Sequence, residues 1–228
     1  MPTQLYKRSL VLLIGLFILA LGVTLSIHSH LGTSPISSVP YAFSHFMPLS
    51  IGLLTIAMHF IFIVLQMLLL KRDFQWRLWL QLPLGLIFGL LIDFTLWLSS
   101  TWNIESNFDN SSYIVQICLS LMSCLLTALG VCLMIKANLM ILAGEGLYQA
   151  FSQRFGFNVG HCKTIGDCLL VLFAAISAYL AIQQVVGIGA GTILTALLVG
   201  SLVRWMMPYL DYFDFSAKQT ITHQCESR

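Results

Sequence analysis

Apolar residues run along this chain in six blocks, roughly 9–27, 50–70, 78–100, 112–135, 160–184 and 186–209. Each block is long enough to cross a ~30 Å hydrocarbon core as a helix, for which ~20 residues suffice. A backbone in lipid must satisfy its own hydrogen bonds, so helix is the form each block takes. Between the blocks lie a long polar loop at 28–49, a basic turn "KRDFQWR" at 71–77 and the loop "TWNIESNFDNSS" at 101–112. A second long connection follows at 136–159, then a short turn near Gln183–Gln184, and the tail is polar.

Composition supports this pattern. The chain is 58% apolar and 9% charged, against ~25% charged for a soluble domain. Its principal partner is therefore the lipid bilayer. Lys7 and Arg8 precede the first block as in a signal peptide. That block is longer than a signal core, however, and no small-x-small cleavage site follows, so a retained span is expected. With the N-terminus in the cytoplasm, all eleven basic residues fall on or toward the inner side. The 101–112 loop carries Glu105 and Asp109 instead. Six spans with both termini cytoplasmic follow from the positive-inside rule, and a bacterial inner (cytoplasmic) membrane is the expected location. Trp76, Trp79, Trp97, Trp102 and Trp205 sit near span ends, as an aromatic belt requires. A net charge of +2 spread over loops and tails excludes nucleic acid as a partner. Cys118, Cys124, Cys132, Cys162 and Cys168 match neither zinc nor disulfide spacing and read as small packing residues.

The two long connections are related. "LGVTLSIHSHLGTSPISSVPYAFSHFMPLSIG" from Leu21 and "LGVCLMIKANLMILAGEGLYQAFSQRFGFNVG" from Leu129 share ten identities without a gap, where chance in so apolar a composition gives roughly three. Gly52 falls on Gly160. Further on, "LIFGLLIDF" aligns with "LLVGSLVRW" after a three-residue insertion, placing Gly89 on Gly200 and Asp93 on Arg204. Each repeat holds three spans, so the halves must cross in opposite senses. This is the inverted arrangement of many secondary transporters. The expected organisation is a first repeat over 1–100, an external linker at 101–111, an inverted second repeat over 112–210 and a cytoplasmic tail at 211–228.

Within the first connection, Ser34-Pro35 has the form of a helix start, with serine as cap and proline at the first position. "PISSVPYAFSHF" is then a short helix over 35–46, matched by "AGEGLYQAFSQRF" over 143–155. Neither spans a bilayer. Each either lies flat at the interface or dips in as a re-entrant half-helix covered by protein. In the second case its N-terminal N–H groups face an anion, and the hydroxyls of Thr33, Ser34, Ser37 and Ser38 cluster there. His28 and His30 point to nearly opposite sides of a helix and lack acidic or thiol neighbours, so no metal site is expected. The Gly187, Gly189 and Gly191 series has no preceding strand and reads as close helix packing.

The stretch "HLGTSPISSVPYAFS", the helix start "SIGLLTIAMHF" and "GLLIDF" in the third block resemble the YczE branch of the YczE/YyaS/YitT bacterial membrane proteins. The likeness covers most of the chain. Ile36 stands where such families often carry tryptophan, and Ala143 stands where the first half has Pro35. The resemblance implies a bacterial inner-membrane protein of transporter type and carries no substrate or functional residue set.

Ionisable side chains inside spans are candidate functional groups by default. At ~1.5 Å per residue, His59 lies ~13 Å and Asp93 ~10 Å from the outer face, while Asp167 lies ~10 Å and Arg204 ~9 Å from the inner one. Two symmetry-related pairs are expected, His59–Asp93 and Asp167–Arg204. Either they couple transport to protons and hold an anion, or they lock helices together, with Arg204 snorkelling to the surface. Glu145, between Gly144 and Gly146, either lines a cytoplasmic mouth or caps the short helix. No residue cluster has catalytic form, so an enzyme is not expected, and no cofactor is implied. The expected function is secondary transport or export of a small polar, perhaps anionic, metabolite by alternating access. The alternative is a non-catalytic membrane partner or assembly factor. Self-association as a homo-oligomer is left open.

Overall fold

The computed structural model describes residues 2–71, 76–101 and 112–213. All regular structure among the described residues is helical. The expected linker beyond Thr101 and the tail beyond residue 213 lie outside them, with Arg72, Trp102, Glu105, Asp109, Lys218 and Arg228.

The described residues form eight α-helices: α1 (Pro2–His28), α2 (Pro35–Ser44), α3 (Ile51–Leu70), α4 (Gln81–Thr101), α5 (Tyr113–Ala137), α6 (Ala143–Phe155), α7 (Val159–Ile182) and α8 (Ala190–Met206). Short 3-10 turns precede α4 and follow α8. Among the described residues six segments, in α1, α3, α4, α5, α7 and α8, are long and apolar enough to cross a membrane. The helix ends follow local chemistry. Ser50 accepts from the Leu53 N–H and caps α3, and Asn158 accepts from the Gly160 N–H and caps α7. α6 stops at Gly156, whose φ of 71° suits a residue without Cβ.

In lipid no hydrophobic drive pulls helices together, so close backbone approach and interhelical hydrogen bonds carry the packing. The centre is α1 against α5. A Cβ placed on Gly15 would lie 3.1 Å from the Gly130 carbonyl oxygen, and one on Gly22 would lie 3.2 Å from the Ser123 carbonyl oxygen. α4 joins α1 through a Thr24–Thr95 hydroxyl pair at 2.7 Å and a His28 Nε2–Ser99 contact at 2.8 Å. α8 joins α5, where the Cys132 thiol donates to the Val203 carbonyl at 3.6 Å. Leu16, Ile92 and Leu133 fill the space between α1, α4 and α5.

α3 packs along α4, and a Cβ on Gly52 would collide with the Gly89 carbonyl oxygen. α7 and α8 barely touch. Gly200 has nothing within 4 Å of its Cβ position, and Gly160 has only its own cap Asn158.

The short helices are inserted among the long ones. α2 lies against α7 and α3, with Ala42 packed on Ala174 and Ala178, and α6 lies against α3 and α7. They enter from opposite ends of the bundle, and their first turns meet. A Cβ on Gly144 would lie 3.3 Å from Ile36 Cδ1 and 3.6 Å from Phe62, a residue just past the middle of α3.

Candidate functional site

Ionisable groups gather where α6 packs on α7. Lys163 Nζ donates to Glu145 Oε1 at 2.7 Å and lies 3.8 Å from Asp167 Oδ2. The Tyr148 hydroxyl donates to Asp167 Oδ1 at 2.6 Å, and Lys163 lies 5.3 Å from its ring centre. Burial, reinforced by the Asp167 carboxylate, pushes the Tyr148 phenol above its ordinary value, so the hydroxyl is a standing donor. The lysine is four residues before Asp167 on one helix face and reaches both carboxylates. Tyr148 closes the cluster from α6, held against Gly166, whose missing Cβ leaves room for the ring.

The two expected pairs do not form. Asp93 accepts from the Ser50 hydroxyl at 2.6 Å and the Gly52 N–H at 2.7 Å, so it caps the N-terminus of α3 across the helix pair. His59 lies two turns further along α3, facing Gly85, and its Nδ1 donates to the Thr55 carbonyl at 2.8 Å. Register is the reason: the glycine contact sets Asp93 level with Gly52, not with His59. In the other half, Asp167 turns to Tyr148 on α6. Arg204 is exposed in the last turn of α8 and has no partner among the described residues.

The hydroxyl cluster at the start of α2 is also used internally. The Thr33 N–H and hydroxyl both donate to the Gly187 carbonyl, at 2.9 and 3.2 Å. The Ser38 hydroxyl donates to the Pro35 carbonyl, and Ser34 donates to the Ser37 hydroxyl at 3.0 Å. Ser34 holds the cap position but bonds no helix N–H through its side chain, contrary to expectation.

A second polar group lies outside the residues singled out from the sequence. Gln66, fully buried on α3, donates through Nε2 to Gln81 Oε1 at 3.1 Å and to the Ala143 carbonyl at 2.9 Å. Both glutamines border a cavity of about 260 Å³ between α3, α4 and α6. A cavity of about 220 Å³ lies at the opposite end, bordered by Gly32, Thr33, Tyr41 and the 185–188 loop. Among the described residues no three metal-ligating side chains come together.

These features define an all-helical membrane protein of six apolar spans with two inserted short helices. The chain belongs to a family of unknown function, DUF6198, which it matches over residues 6–208. No curated protein and no solved structure matches it.

Proposed function

We propose that the protein is a secondary transporter of a small polar solute, built as two inverted three-span repeats that work by alternating access. The observation that carries this is a contact present in one half and absent from the other. The sequence alignment equates Gly52, Gly89 and Asp93 with Gly160, Gly200 and Arg204. In the first half the two glycines touch and Asp93 caps α3. In the second, α7 and α8 are apart, both glycines lack the facing helix and Arg204 is exposed.

The remaining packing is near-symmetric, which supports the repeat. Gly22 against Ser123 and Gly15 against Gly130 are one contact seen twice under the 108-residue offset. α2 on α7 answers α6 on α3, and α1 on α4 answers α5 on α8. The end cavities also correspond: Met140, Ile141 and Gln149 of one match Gly32, Thr33 and Tyr41 of the other. Two repeats in unequal states are what alternating access requires, since exchange of those states moves the opening across the membrane. With both termini cytoplasmic, the closed α3–α4 contact faces outward and the α7–α8 gap faces the cytoplasm.

The Glu145–Lys163–Asp167–Tyr148 cluster, where the first turns of α6 pack on the first turns of α7, is the coupling site of this proposal. The kinship with YczE proteins and the inner-membrane location belong to the same reading.

Reconstituted protein tests it by solute counterflow over a panel of amides, amino acids, organic acids and amines. The expected result is saturable flux of one class, lowered by about tenfold or more in Gly160→Trp and Gly200→Trp. In the open state Gly200 faces open space and Gly160 meets only its own cap Asn158, so these variants should fold. Absence of flux for every class, or flux indifferent to both tryptophans, would overturn the proposal.

A further inference from the structure

We propose that His59 is a proton-operated switch: taking up a proton from the outer side, it holds α3 and α4 apart. The proposal rests on the reading that this contact opens. His59 is the only ionisable side chain of α3, and it is 2% exposed. Its Nδ1 donates to the Thr55 carbonyl at 2.8 Å. A backbone carbonyl only accepts, so Nδ1 carries the hydrogen and Nε2 of the neutral ring is a bare acceptor. No group among the described residues hydrogen-bonds Nε2.

The ring is covered by α4 and by its own helix. A Cβ on Gly85 would lie 3.0 Å from His59 Cβ and 3.3 Å from Cδ2, the ring carbon bonded to Nε2. Phe88 of α4 and Phe62 of α3 flank the ring, with centroids 5.9 and 6.3 Å away. A second proton here would make a cation whose Nε2–H has no acceptor. Nor does a counter-charge face it. The helices packed on α3 are α2, α4 and α6, and their ionisable side chains are committed elsewhere. Asp93 of α4 bonds Ser50 and Gly52. Glu145 and Tyr148 of α6 bond Lys163 and Asp167, and Arg154 is exposed in the last turn. Tyr41 of α2 borders the cavity by the 185–188 loop, and His45 bonds the Tyr41 carbonyl.

The closed α3–α4 contact therefore accommodates only the neutral ring. Separating the helices takes Gly85 and Phe88 off the ring and lets water reach Nε2. By the repeat alignment His59 corresponds to Asp167, and in that half, where α7 and α8 are apart, the ionisable side chain is partly exposed. Protons bind the separated state and not the closed one. Lowering the pH thus shifts the population toward separation, and raising it restores the contact. The working range is about pH 5 to 8, where an imidazole in water changes charge. With this contact facing outward, an acidic exterior holds the protein open on that side.

The test is an electron paramagnetic resonance distance between labels at Leu53 and Leu90, both exposed, in the full chain in lipid nanodiscs with the native cysteines replaced. At pH 8 one short separation is expected. At pH 5 a longer component should appear, raising the open-to-closed ratio more than tenfold, and it should vanish on return to pH 8. His59→Gln, and His59→Phe as a second non-titrating replacement, should stay short at pH 5. Both keep Asp93 and every other histidine, so they isolate this ring; the isosteric Asp93→Asn should retain the response. A separation indifferent to pH while His59 is present, or an equal acid response in the two His59 variants, would overturn the inference. Acid opening that needs His59, without flux of any solute, would remove transport and leave the switch. Flux with a 53/90 separation indifferent to pH would do the reverse.

Discussion

At the residue scale, the ionisable groups inside the spans have divided roles. Asp93 is a structural cap. Its two accepted hydrogen bonds satisfy groups at the start of α3 that would otherwise be unpaired. Asp93→Ala should therefore destabilise the protein by about 1–3 kcal/mol. Thermal unfolding in detergent measures this, together with faster hydrogen exchange in the first turn of α3. Tyr148 is the sole hydrogen-bond donor to Asp167 among the described residues. Tyr148→Phe removes it while keeping the ring against Gly166. We expect a small loss of stability, within about 2 kcal/mol, and altered coupling in a pH-jump flux assay. Gly32 is constrained twice, by a φ of 110° and by a Cβ position 2.6 Å from the Gly189 nitrogen. Gly32→Ala should be among the most damaging single changes, reducing folded yield after extraction.

At the element scale, the six apolar helices were plain in the sequence because block length alone separates a span from a loop. The short helices were equally visible, from Ser34-Pro35 and from the matched Ala-Phe-Ser. Their insertion was not, since a ten-residue amphipathic segment fits an interface as well as a packed interior. The Ile36–Gly144 contact distinguishes the two. Pairing of side chains failed because block boundaries fix depth only to within a turn, and the glycine contacts between α3 and α4 shift the register by two turns. Gln66 and Gln81 carry no charge, so a search for intramembrane ionisable groups passes over them; an amide side chain inside an apolar block is the signal the sequence offers. The α1–α5 crossing yields the prediction for this scale. Gly22→Leu and Gly130→Leu should each force the helices apart and lower extraction yield or thermal stability. Gly200→Leu should be tolerated, because its surroundings are open.

At the scale of the whole molecule, the central claim is that the halves are equivalent and caught in different states. On the proposed repeat, the difference traces to the aligned pair Asp93 and Arg204. A carboxylate at the N-terminus of α3 stabilises the closed first half. The same closure in the second half would bring a guanidinium to the N-terminus of α7, where the helix dipole opposes it. Reversing that charge should bias the equilibrium. Electron paramagnetic resonance distances test this most directly, with the native cysteines replaced and spin labels at the matched, exposed pairs Leu53/Leu90 and His161/Ser201. The account predicts a short separation for the first pair and a longer one for the second, with a short component at 161/201 that grows in Arg204→Asp. A 161/201 separation that is single, long and unchanged by Arg204→Asp would contradict it, leaving a fixed bundle whose α7–α8 face serves contact with another subunit.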